Sequence, residues 1–135
     1  MMIPTDPTLF RLPVGDEDRP RLLGSYAPAS GLHFWPCRQR CPVSRTPVVD
    51  AELGPVGTLY AWTFLHVPRM GTVSFGDAGG YGVGQVDLVE GVRVQAVLSG
   101  GPEDWSIGDE MALTTFPVGV DADGNELVTF RFERC

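Results

Sequence analysis

From residue 58 onward, apolar and polar positions alternate in short runs separated by turn-forming residues, the period of half-buried strands. Thr58–Val67 reads T-L-Y-A-W-T-F-L-H-V, rich in β-branched and aromatic residues and long enough to bend across a barrel. Tyr81–Val89 and Val92–Leu98 flank Glu90-Gly91, which predicts an antiparallel hairpin. Glu110–Phe116 and Glu126–Glu133 add two strands, joined through the turn chemistry of Asp121-Ala122-Asp123-Gly124-Asn125. On the last strand Val128, Phe130 and Phe132 share one face. Met70–Gly80, between the first two strands, is a glycine-rich loop whose Val73 and Phe75 sit in too irregular a context for a strand.

The first fifty residues have a different texture. Prolines at 4, 7, 13, 20, 28, 36, 42 and 47 limit any helix to one or two turns. Asp6-Pro7 is a start signal for one, Asp as N-cap and Pro at the first helical position, running to about Leu12. Arg21–Tyr26 and His33–Trp35 read as short strands around a Pro28–Gly31 turn. The expected organisation is an N-terminal segment over residues 1–53 and a β domain over 54–135. Five strands in about 80 residues would leave exposed edges as an open sheet. Closing them into a small barrel removes the edges, so the expected fold is all-β, a five-stranded OB-fold barrel behind a short N-terminal helix.

Composition narrows the function. The 135 residues include 17 Gly and 12 Pro, and ten arginines without a lysine stand against 17 carboxylates, for a net charge of −7. The absence of lysine removes Schiff-base and P-loop chemistry. A single-strand-binding OB domain is the reading its aromatic strands invite. The acidic balance opposes it, with the arginines spread along the chain, so no nucleic-acid partner is expected. No run approaches the roughly 20 apolar residues that cross a bilayer, and Met1–Phe10 lacks the pattern of a signal peptide. No membrane partner is expected. Three cysteines are too few for a disulfide framework, which suggests reduced thiols and the cytoplasm.

Several residues carry candidate chemistry. His33, Cys37 and Cys41 form H-x3-C-x3-C, with Cys135 as a fourth potential ligand, but this spacing matches no common zinc motif. Cys37, beside Arg38 and Arg40, is a candidate nucleophile with His33 or His66 as base, which would make the chain an independent cysteine-dependent acyltransferase or hydrolase. No nucleophile elbow accompanies it. Cys135, as the last residue, is expected to be mobile. If the first barrel strand alternates, Tyr60, Trp62, Phe64 and His66 share a face, as core, subunit contact or wall of an acyl-binding site. Arg69 and the loop carrying Gly71, Gly76, Gly79, Gly80 and Phe75 occupy a position that OB-folds often use for ligands. Asp87 and Glu90 read as a solvated turn.

The runs G-P-V-G-T-L-Y-A-W-T-F-L-H (54–66), V-G-Q-V-D-L-V-E-G-V-R-V-Q-A-V-L (83–98) and Ile107-Gly108 before Glu110 resemble, in order and spacing, the DUF35 family. These are OB-fold proteins with an N-terminal rubredoxin-like zinc ribbon. The resemblance covers roughly Leu22 to Phe132. It implies that A-P-A-S-G (27–31) and C-P-V-S (41–44) stand where the family has its metal ligands, with Ala27, Ser30 and Ser44 at three positions and Cys41 alone retained. One thiolate does not hold a structural zinc, so zinc is not expected, and Phe34 and Trp35 are expected to fill a degenerate ribbon.

The resemblance further implies a non-catalytic subunit that completes or stabilises a thiolase-superfamily enzyme acting on acyl-CoA thioesters. The reaction would be thiolysis, acyl transfer or retro-aldol cleavage, for instance of a steroid side chain. The catalytic residues then belong to the partner, in a two-plus-two heterotetramer, and this chain binds no cofactor of its own. Residues expected to face ligand or partner are Phe34, Trp35, Trp62, His66, Arg69 and Phe75.

Overall fold

The computed structural model of the chain describes residues 2–66, 69, 70, 73, 74 and 80–135. Its elements are all strands: β1 (Met2–Pro4), β2 (Phe10–Arg11), β3 (Arg21–Ala27), β4 (Leu32–Phe34), β5 (Val49–Leu53), β6 (Val56–Leu65), β7 (Arg69–Met70), β8 (Val73–Ser74), β9 (Tyr81–Leu88), β10 (Arg93–Leu98), β11 (Glu110–Val120) and β12 (Glu126–Arg134). The helix expected from Asp6-Pro7 is absent. Asp6 does cap a turn, its carboxylate accepting the Thr8 N–H at 2.9 Å. The chain then leaves it as a strand, because Phe10 pairs with Leu22 and is buried, a long-range contact that a local capping signal cannot outweigh.

The barrel is a ring of five strands. β9 pairs antiparallel with both β6 and β10, β11 pairs antiparallel with β6 and β12, and β10 meets β12 in parallel to close the circle. That last seam consists of one register pair, Leu98 with Phe132. Farther along, β12 is taken up instead by β1, through Glu126, Leu127 and Val128. A second sheet has β3 at its centre, flanked by β2 and β4 on one path and by β5. β7 and β8 form a two-residue ladder within the stretch expected to be loop; Phe75 lies outside the described residues.

The two sheets share one core. Phe10, Leu22 and Leu53 from the second sheet pack with Leu59, Val86, Val94, Leu98, Met111, Leu113 and Phe132 from the barrel. Beside the β10–β12 seam, Phe10 and Trp35 both meet Phe130 edge-on, with ring centroids 5.3 and 5.6 Å apart, and the Trp35 indole N–H donates to the Leu9 carbonyl at 2.9 Å. Trp105 covers another part of the barrel interior, its indole N–H donating to the Ser99 carbonyl and its ring set against Trp62 at 5.4 Å. The ring lies directly on Gly82, where a Cβ would stand 2.1 Å from it.

The alternation assumed for β6 breaks at a bulge between Leu59 and Ala61. Leu59 points into the core and Tyr60 is the extra residue, so Tyr60 turns outward under Arg93, whose guanidinium lies 3.4 Å from its ring centroid. Trp62 and Phe64 return to the inside. Tyr60 therefore does not share the face of Trp62.

Arg11 ties the N-terminal segment to the second sheet. It binds Asp18 at 2.7 Å and Glu52 at 2.5 Å, and its guanidinium holds Asp18 down to about 2 and Glu52 below the usual carboxylate range. Both folded-state values lie below the unfolded ones, so the stabilisation is present above about pH 4 and is lost as pH falls toward 2. In urea melts, Arg11→Met is expected to lower the midpoint at pH 6 and to converge on the parent by pH 2; a gap that persists at pH 2 would assign the effect to packing. Gly82→Ala is expected to cost about 1–3 kcal/mol through displacement of Trp105, read as a lower melting temperature with changed tryptophan fluorescence.

Candidate functional site

A cleft of about 390 Å³ opens on the second sheet, lined by Thr8, Leu23, Gly24, Cys37, Asp50, Ala51 and Glu52. The Cys37 thiol donates to the Gly24 carbonyl at 3.0 Å and lies 3.8 Å from an Asp50 carboxylate oxygen. A thiol turned onto a backbone carbonyl and a carboxylate has, among the described residues, no cationic or N–H partner in this cleft to favour attack. The two histidines are elsewhere employed: His33 stacks on Tyr26 at 4.6 Å and His66 stands edge-on to Phe64 at 5.1 Å. The cysteine–histidine pair considered from sequence is therefore not assembled. Among the described residues no three His, Cys, Asp or Glu side chains converge, and His33, Cys37, Cys41 and Cys135 are not gathered into one cluster. Cys135 is anchored, not loose, its N–H donating to the Glu110 carbonyl at 2.9 Å, and burial raises its thiol pKa.

Cys41 is the buried thiol, 1% exposed. It lies 3.4 Å from the Ser30 hydroxyl and accepts the Ser44 N–H at 3.5 Å. The Ser30 and then the Ser44 hydroxyl draw this thiol down to about 7, against the effect of its burial. Ser30 and Cys41 thus meet between the segments 27–31 and 41–44, while Trp35 packs on Phe130 and binds the Leu9 carbonyl.

The residues expected to face a partner have separate fates. Trp35 and Trp62 are partly buried against the core, Trp35 held by Phe130 and the Leu9 carbonyl and Trp62 turned inward by the parity that the bulge at Tyr60 sets along β6. Phe34 is half-buried with Arg38 above its ring at 5.8 Å. His66 is exposed at the end of β6, Arg69 opens β7, and Phe75 falls outside the described residues.

A feature passed over in the sequence is the segregation of charge. Residues 19–49 hold five of the ten arginines and none of the 17 carboxylates. The arginines are thus polarised along the chain, not spread. Arg38, Arg40 and Arg45 are exposed together, Arg40 donating to the Arg45 carbonyl at 3.0 Å. Among the described residues the ion pairs involve Arg11 and Arg93, so this positive lobe is not neutralised from within. Counting charge by segment would have found it. On the barrel, a hollow of about 250 Å³ lined by Ala61, Trp62, Thr63, Val83, Gly84, Gln85 and Gln95 carries no charge at all.

A closed five-stranded barrel of this topology is an OB-fold, here joined to a small N-terminal sheet through a common core. The family model described as ChsH2, C-terminal OB-fold domain, matches residues 50–116, which makes this part of the chain a DUF35-type OB-fold domain. Five solved chains match. One, from the structure described as Ltp2-ChsH2(DUF35) aldolase, is 23% identical, with a TM-score of 0.63 over 84% of either chain. No curated protein matches. Among the described residues no helix is long and apolar enough to cross a membrane.

Proposed function

We propose that this chain is a non-catalytic OB-fold subunit that completes or stabilises a thiolase-superfamily enzyme acting on acyl-CoA thioesters, with retro-aldol cleavage the first choice of reaction. The observation that carries the reading is the fold shared with a chain of the Ltp2-ChsH2(DUF35) aldolase. Two properties of the chain support it. Its one cleft thiol is held as a hydrogen-bond donor with no histidine beside it, so the chain's contribution is binding, and the nucleophile comes from the partner. The exposed arginine lobe on an otherwise acidic molecule favours one direction of approach to an acidic partner surface. A two-plus-two assembly in the cytoplasm, with the three cysteines free, completes the proposal.

Affinity purification of the tagged chain from its own host, with mass spectrometry, is expected to return a thiolase-superfamily subunit in equal amount, whose turnover of an acyl-CoA thioester drops when this chain is withheld. Reversing Arg38, Arg40 and Arg45 to Glu should slow association roughly ten-fold or more at low ionic strength, and less in high salt, with the parent's circular dichroism retained. A chain recovered alone, with an acyl-transfer or hydrolase activity of its own that Cys37→Ser or Cys41→Ser abolishes, would replace the proposal with an independent cysteine-dependent enzyme.

A further inference from the structure

We infer that residues 27–31 and 41–45 are a pair of metal-binding turns that now close without metal, on a hydrogen-bonded cluster centred on Cys41. The two segments repeat one backbone pattern. The Ala27 carbonyl accepts the Gly31 N–H at 2.8 Å, and Gly31 is left-handed at φ +71°. The Cys41 carbonyl accepts the Arg45 N–H, also at 2.8 Å, and Arg45 is left-handed at φ +58°. Among the described residues Arg45 is the one non-glycine in that region. A large side chain stays there only when its surroundings fix the turn.

Each turn offers its first and fourth side chains: Ala27 and Ser30 from one, Cys41 and Ser44 from the other. This is the C-x2-C offset at which paired turns bind a tetrahedral ion. The two turns meet, since Ser30 lies against the Cys41 sulfur from across the gap while the Ser44 N–H points at the same sulfur from within its own turn. Ala27 and Cys41 are sealed from solvent at 0% and 1% exposure.

The donor set does not fit zinc. A methyl group and two hydroxyls at three of the four positions leave Cys41 as the single thiolate donor where the ion requires four thiolate, imidazole or carboxylate ligands, and His33 is stacked on Tyr26. Other bonds do the closing. The Cys41 N–H donates to the Thr46 carbonyl at 3.0 Å, the Ser44 and Thr46 hydroxyls lie 2.7 Å apart, and Arg40 bridges to Pro47. The fully buried Ser25 accepts the Arg38 N–H at 2.7 Å, fastening the connection between the turns to β3. The arginine lobe is therefore carried on a platform that neither zinc shortage nor a chelator should dismantle. This inference stands independently of the partner enzyme.

The test uses the full chain purified without added metal. Elemental analysis should find zinc far below one equivalent, and EDTA should leave the melting temperature unchanged. Cys41→Ala should lower that temperature by several degrees. The triple variant Ala27→Cys, Ser30→Cys, Ser44→Cys should take up one cobalt(II), with the visible absorption of tetrahedral thiolate coordination, and should melt lower in EDTA. Stoichiometric zinc in the parent, removed by EDTA with loss of structure, would overturn the metal-free closure. A triple variant with the parent's circular dichroism and no cobalt binding would overturn the pairing of the turns. Should the variant not fold, the parent's metal content and EDTA melt still decide the first point.

Discussion

The seam between β10 and β12 is the constraint around which the molecule is arranged. Four of the five junctions in the barrel are antiparallel ladders; this one is a single parallel pair, Leu98 with Phe132. A short seam leaves backbone groups and apolar side chains to be covered by something else. The cover is the N-terminal segment. β1 extends β12 in parallel, and Phe10 and Trp35 lie against Phe130 beside the seam. The N-terminal sheet thus completes the barrel's core, and Phe10, Leu22 and Leu53 bury themselves in the same cluster as Val94 and Phe132. Trp35 is partly buried in this cover, and Trp62 is partly buried against Trp105 on another side of the same core, so each leaves only part of its ring at the surface.

The barrel was legible because its information is local and periodic. Alternation over Tyr81–Leu88 and Arg93–Leu98, the Glu90-Gly91 turn and the Asp121–Asn125 turn each specify their own geometry within a few residues, and the ladders follow. What failed depends on contacts between distant residues or on one extra residue. Asp6-Pro7 has the chemistry of a helix start, and the Asp6 carboxylate caps Thr8 as such a start would, yet the pairing of Phe10 with Leu22 decides the outcome. The face of Tyr60 was misassigned because a bulge shifts parity without leaving a mark in the hydrophobic pattern. Of the candidate site, the absence of a cysteine–histidine signature could be read directly, whereas the engagement of Cys37 with the Gly24 carbonyl needs the fold that brings residues 24 and 37 together.

Charge separates the two parts of the chain as clearly as sheet topology does. Residues 19–49 are purely basic, and every carboxylate lies outside that stretch. Few of the carboxylates are drawn into ion pairs among the described residues, so the fold does not use this polarity for its own stability. Exposed ion pairs contribute little in any case. A long-range field that does little for folding is better suited to orienting an encounter, since steering depends on the summed charge of a face more than on any one pair.

Turn geometry and ligand chemistry are carried by different atoms, and this explains how one can persist as the other goes. The shape of residues 27–31 rests on the Ala27 carbonyl and the left-handed Gly31, that of residues 41–45 on the Cys41 carbonyl and Arg45; none of these interactions requires a thiolate side chain. Replacing a ligand by serine or alanine then removes an ion-binding function while leaving the backbone bonds intact. The uncompensated element is the space the ion would occupy, and a buried gap of that kind forfeits packing on all sides. Cys41 and Ser30 meet between the turns, so on the metal-free closure inferred above the buried thiol acts as a packing centre. That role also accounts for the burial of Cys41 where Cys37 is exposed: the one closes a platform, and the other lines a cleft.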